Sequence, residues 1–207
     1  YGTALIAKDL LPVRCELETL SAYQGHQQGE RSFRHGYLAN GMEYFSFAYA
    51  LPNGGSTDQR GQVEVYTLVL QKNSKFSLTS TSLSDLYALQ RVNFTDLVNR
   101  EISEIDLDDI LKQSTSAAPL PDPPEALVQA ILATLLYQGA KGGTPYLLAL
   151  CQPEELLSAI AALPDWLRDT VTFNTDVQSL ADEPLGTINT WSKAAWQKAE
   201  RSNFHGT

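Results

Sequence analysis

Residues 122–173 read DPPEALVQAILATLLYQGAKGGTPYLLALCQPEELLSAIAALPDWLRDTVTF, and this stretch decides the fold class. Asp122 suits a helix N-cap. Pro123 follows at the first helical position, where its missing N–H is no loss, and Glu125 takes the capping-box position. Ala126 to Leu136 is apolar on nearly every face, with Gln129 and Thr134 as the main exceptions, which predicts a buried helix. Gly139 to Thr144 supplies a turn. Pro145 to Cys151 predicts a strand, and its centre, Tyr146 to Leu150, lacks alternation, as expected of a central strand covered on both faces. Pro153 to Trp166 predicts a second helix, started by Pro153-Glu154-Glu155 and bent or restarted at Pro164. Val171-Thr172-Phe173 closes the series as a strand. Helix, strand, helix, strand builds a layered α/β unit, in which helices cover the faces of a largely buried sheet.

Within that unit Leu156, Ile160, Leu163 and Leu167 fall at intervals of one helical face. Leu163, Leu167 and Phe173 are therefore expected in the core, with Trp166 buried beside them and Arg168 turned toward solvent or an acidic partner.

The N-terminal part has a different period. In Tyr44 to Leu51, Phe45, Phe47, Tyr49 and Leu51 point to one face, and Ser46, Ala48 and Ala50 to the other. Gln62 to Gln71 repeats the pattern, with Val63, Val65, Thr67 and Val69 opposite Glu64, Tyr66, Leu68 and Leu70. Turn residues from Pro52 to Gly61 join the two runs, so an antiparallel hairpin with a long surface tip is expected. Thr3 to Ala7 suits a short strand. Leu10 to Ala22 fits neither period, and Tyr23 to Gly36, polar and glycine-bearing, reads as a loop or exposed turn. Ser82-Leu83-Ser84-Asp85 has capping-box spacing, with Leu83, Leu86 and Leu89 or Gln90 behind it at helical intervals. Phe94 to Leu111 predicts partial helix, and Gln113 to Pro124, rich in Ser, Ala and Pro, predicts a linker. The expected class is α+β: an antiparallel β-rich subdomain over 1–118 and an α/β subdomain over 119–207, or one continuous globular domain.

Composition narrows the function. The 207 residues hold 43% apolar and 19% charged residues, an ordinary globular balance, with a formal charge of −9. Nucleic-acid footprints are basic, so no nucleic-acid partner is expected. No apolar run approaches the roughly 20 residues of a membrane span, and the N-terminus lacks a signal-peptide pattern, which points to a cytoplasmic protein. Cys15 and Cys151, in apolar contexts, read as two reduced core thiols or as one disulfide. A start at Tyr1 without Met suggests a domain cut from a longer chain, whose other domains are then partners.

Known chemistry is mostly missing. There is no G-x-S-x-G elbow, no H-E-x-x-H, and no cysteine pair at zinc spacing. Gly139-Ala140-Lys141-Gly142-Gly143-Thr144 follows a helix and precedes a strand, the reverse of a phosphate loop. Glu101, Glu104, Asp106, Asp108 and Asp109 lack the glycine hinge of a calcium loop and read as a solvated acidic face. No catalytic, cofactor or metal residue is therefore assigned. His26 and His35 are the candidates for a base or a switch, since histidine titrates near neutrality. Trp191 and Trp196, five apart in a polar tail, suit a recognition face or packing against the α/β unit.

Three segments resemble the N-terminal region of a bacterial family of GTPase-associated proteins, large chains encoded beside small GTPase-like proteins in signalling or conflict systems. They are His35 to Pro52, with its Gly-Met-Glu-Tyr-Phe-Ser-Phe strand; Arg60 to Leu70, with an Arg-Gly-x-Val start; and Pro153 to Thr175, with its Leu-Pro-x-x-Leu-Arg block before a Phe-x-Thr strand end. The order also resembles DENN and longin-type modules that act on Rab GTPases. The chain lacks the family's tryptophan-rich segment between Leu51 and Gln62. The resemblance implies a non-enzymatic module engaging a small GTPase-like protein, with His35, Arg60, Trp191 and Trp196 as the partner-binding candidates. The other expectation is a hydrolase or transferase using His26 or His35 with a carboxylate brought near by folding.

Overall fold

Alternating side chains build the centre of the sheet. In β2 (Glu43–Ala50), Phe45 and Phe47 point to one face and Ser46 and Ala48 to the other, and all four are buried. The computed structural model describes residues 8–20, 31–50, 63–70, 76–89, 118–140, 147–177, 187–191 and 197. Strand β2 pairs antiparallel with β1 (Arg31–Tyr37) and with β3 (Val63–Val69). Strands β4 (Leu147–Ala149), β5 (Phe173–Val177) and β6 (Ile188–Trp191) complete a six-stranded sheet in the order β3-β2-β1-β5-β6-β4. The β1–β5 pair is antiparallel, while β5–β6 and β6–β4 are parallel. The fold is α+β, an antiparallel N-terminal half continued by a layered α/β half.

Helices occupy both faces. Those described are α1 (Arg14–Leu20), after a 3₁₀ turn at Lys8–Val13, then α2 (Ser80–Ala88), α3 (Glu125–Ala140), α4 (Pro153–Ala161) and α5 (Asp165–Arg168). The main core joins Phe33, Phe45, Phe47, Phe173 and Ile188 of the sheet to Leu83 and Leu86 of α2, Ile131 and Leu135 of α3, and Leu156, Leu157 and Ile160 of α4. Phe33 stacks on Phe47 with centroids 4.9 Å apart and meets the edge of Phe173 at 5.1 Å. A smaller cluster of Leu17, Leu38 and Tyr44 lies on the other face, under α1. Gly36 is needed there: a Cβ would come within 2.8 Å of the Tyr44 hydroxyl, so only glycine lets the ring lie against β1.

A polar row crosses the same face. Thr67, Ser46, Arg34, Asn174 and Asn189 occupy one register line across five strands. Thr67 Oγ1 donates to Ser46 Oγ at 3.0 Å, and Arg34 Nε donates to Asn174 Oδ1 at 3.2 Å. A one-residue slip would drive these groups into the phenylalanine layer, so the row specifies register.

Several expectations change. Residues 31–36, expected as loop, lie in the strand β1, because partners on both sides satisfy its backbone. Strand β4 lies at the sheet edge and not at its centre, and Leu150 behind it is exposed. Helix α3 begins at Glu125 instead of Pro123. The Pro124 ring disfavours a helical Pro123, and the Pro124 carbonyl takes the amides of Leu127 and Val128. Nor is α3 buried all round, since Ile131 and Leu135 face the core while Leu136 and Tyr137 (62% exposed) face out. Thr79, not Ser82, caps α2, its Oγ1 accepting from the Ser82 amide at 3.2 Å. The last expected strand starts at Phe173 instead of Val171. Both cysteines are free, and Cys15 is exposed, not in the core. The runs at 3–7, 52–61 and 94–111 lie outside the described residues. Among the described residues no helix is long and apolar enough to cross a membrane.

Candidate functional site

The Leu-Pro-Asp-Trp-Leu-Arg block builds a rigid, outward knuckle. Helix α4 starts where Gln152 N donates to Glu155 Oε2 at 2.8 Å, and ends at Ala161. Pro164 cannot continue the ladder. Its carbonyl instead receives the Leu167 and Arg168 amides, both at 2.9 Å, and opens α5. Leu163, Leu167 and Val171 are buried beneath the turn, as the spacing predicts for the first two, and Phe173 is buried with them. Trp166 is not: 66% of it is exposed. Successive helical residues turn by about 100°, so Leu167 facing inward puts its neighbour Trp166 outside.

Arg168 departs from expectation in the opposite sense. Only 9% of it is exposed. Its Nη2 donates to Asp165 Oδ1 at 2.6 Å and its Nη1 to the Ala161 carbonyl at 3.1 Å, so it ties the end of α4 to the start of α5. Tyr37, also exposed, reaches the same block: its hydroxyl donates to the Asp169 carbonyl at 3.1 Å. Burial, and then the charges of Glu43 and Asp169, push the Tyr37 phenol above its ordinary pKa. The block thus shows two aromatics, Trp166 and Tyr37, with Pro164, Asp165 and Asp169 exposed around them.

His35 lies on β1 and is 2% exposed. Its ring stacks on Phe45 at 4.9 Å. Nδ1 is 2.9 Å from the Val171 carbonyl, which can only accept, so Nδ1 carries a proton and donates it. Nε2 is 2.8 Å from Glu43 Oε1, and Glu43 Oε2 accepts from the Phe76 amide at 3.3 Å. One proton sits between Nε2 and Oε1, so the pair is imidazolium with carboxylate or imidazole with carboxylic acid. Both ring nitrogens are engaged inside the protein, and the side chain shows no surface to a partner or substrate.

Trp191 ends β6 and is half-buried, in a strand instead of the expected polar tail. His26, Arg60 and Trp196 lie outside the described residues. Of the four partner-binding candidates the described residues thus hold two, His35, which is enclosed, and Trp191, which is half-buried. The structure presents Trp166 and Tyr37 instead. Among the described residues no group of three or more His, Cys, Asp or Glu is placed to hold a metal ion. Comparisons with protein-family models, curated proteins and solved structures gave no match to the chain.

Proposed function

We propose that the chain is a non-enzymatic interaction module of a larger bacterial protein, engaging a small GTPase-like partner. The observation that carries the interaction reading is Trp166, a large aromatic held outward by a turn whose neighbours Leu163 and Leu167 are locked into the core. Tryptophan at the centre of an interface contributes more than its share of binding energy, and a rigid mount reduces the entropy lost on docking. The GTPase-like identity of the partner rests on the three resembling segments, whose described residues fall on β1–β2, on β3 and on the run from α4 to β5. A bait of the full chain, and the same bait with Trp166→Ala, would be used to capture proteins from the native host. Recovery by the first bait alone of a nucleotide-binding protein, whose nucleotide exchange the chain then alters, supports the reading. Failure to recover any nucleotide-binding protein removes it.

The hydrolase reading has one observation in its favour, the 2.8 Å approach of His35 to Glu43. With that imidazole enclosed and bonded at both nitrogens, the geometry favours a structural role.

A further inference from the structure

We infer that Trp166 seats an arginine or lysine side chain of a cationic partner segment, a proposal that rests on the interaction reading above. Charge decides it. Between residues 118 and 177 the acids are Asp122, Glu125, Glu154, Glu155, Asp165, Asp169 and Asp176, against Lys141 and Arg168 alone. Arg168 is turned inward and spent on Asp165 and the Ala161 carbonyl. With Asp165 matched by Arg168, the carboxylate beside the exposed indole that is left for a cation is Asp169, itself exposed and one helical turn on from Trp166. A cation set on the indole face gains from the ring quadrupole and from the Asp169 carboxylate together. The chain's formal charge of −9 steers such a partner in from a distance. An acidic partner would instead meet the like charge of Asp169. Tyr37, half-exposed, is hydrogen-bonded to the far end of α5.

The test uses the full chain with a hexa-arginine peptide and its hexa-citrulline counterpart, which keeps the shape and removes the charge. The indole N–H signal of Trp166, assigned with Trp166→Phe, is followed by NMR. The expected result is a saturable shift of that one indole with hexa-arginine, weakened by salt, and none with hexa-citrulline. Trp166→Leu, which keeps apolar surface but loses the ring, should lower affinity about two- to five-fold, the worth of an exposed cation–π contact. Asp169→Asn should lower it too and flatten the salt dependence. Unchanged melting temperatures establish that both variants are folded. Equal shifts with both peptides, equal movement of all three indoles, or no loss in Trp166→Leu overturns the inference. If a host partner is lost on Trp166→Ala while hexa-arginine leaves Trp166 unmoved, the interaction reading stands and the cationic one falls.

Discussion

At the scale of the residue, the His35–Glu43 pair and Cys151 show how burial sets chemistry. Glu43 accepts from Phe76 and shares a proton with His35, so removing it leaves an amide and a ring nitrogen without partners. Breaking a buried pair by deleting one member costs about 3–5 kcal/mol, and Glu43→Ala should lose stability in that range by urea unfolding. A loss below about 1 kcal/mol would match a surface pair instead. Cys151 is half-buried, and desolvation first, then the charge of Glu155, pushes its thiol up to about 11. Raised above its unfolded value near 9, this thiol keeps its proton better in the folded state, so its contribution is intact below pH 9 and is lost as pH rises through about 11. The thiolate is the reactive form. Iodoacetamide at pH 8 should therefore label exposed Cys15 first, with Cys151 reacting more slowly until the chain is unfolded, as peptide mass mapping would show. Equal labelling of both would contradict the burial of Cys151.

At the scale of the element, Pro164 converts one expected helix into two and aims the residues around it. Leu167 is buried beneath α5, and truncation to alanine should lower stability by about 2–5 kcal/mol, the range for a buried leucine. Trp166→Ala, one position away, should change the melting temperature little. The contrast between neighbours is the informative result: if Trp166→Ala destabilises as much as Leu167→Ala, the indole is a packing residue and not a surface one. The start of α3 shows the same dependence on proline. An N-cap pattern at Asp122 reads well by letter, yet two consecutive prolines keep the chain extended until Glu125.

At the scale of the whole molecule, β1 and β5 join the two halves. Phe33 and Phe45 of the N-terminal strands share one core with Phe173, Ile188 and the helices of the C-terminal part. The polar row from Thr67 to Asn189 also runs across that junction. Fragments 1–118 and 119–207 should each fail to fold alone, because each would expose half of that core. Their near-UV circular dichroism should stay featureless until they are mixed, and the intact chain should unfold in one transition. A native-like signal from either fragment by itself would show that the halves are independent.

Much of this architecture is local and therefore legible in the order of residues. The period of two in β2 and β3 and the core spacing of Leu156, Ile160, Leu163 and Leu167 follow from backbone geometry alone. Asn40-Gly41 is a turn signal of the same local kind: with Gly41 at φ 81°, it turns β1 into β2 and places Tyr37 opposite Glu43. The rest belongs to the tertiary structure. A strand carrying Arg34 and His35 looks like a loop until partners far along the chain accept its protons, and His35 meets the Val171 carbonyl 136 residues away. Whether β4 is central or at the edge depends on where β6 inserts, not on the letters of β4. Trp166 has the composition of a core residue. It lies outside because Leu167, which the periodicity already assigns inward, takes the core position on α5, and whether another part of the chain covers the outward indole is decided by packing alone.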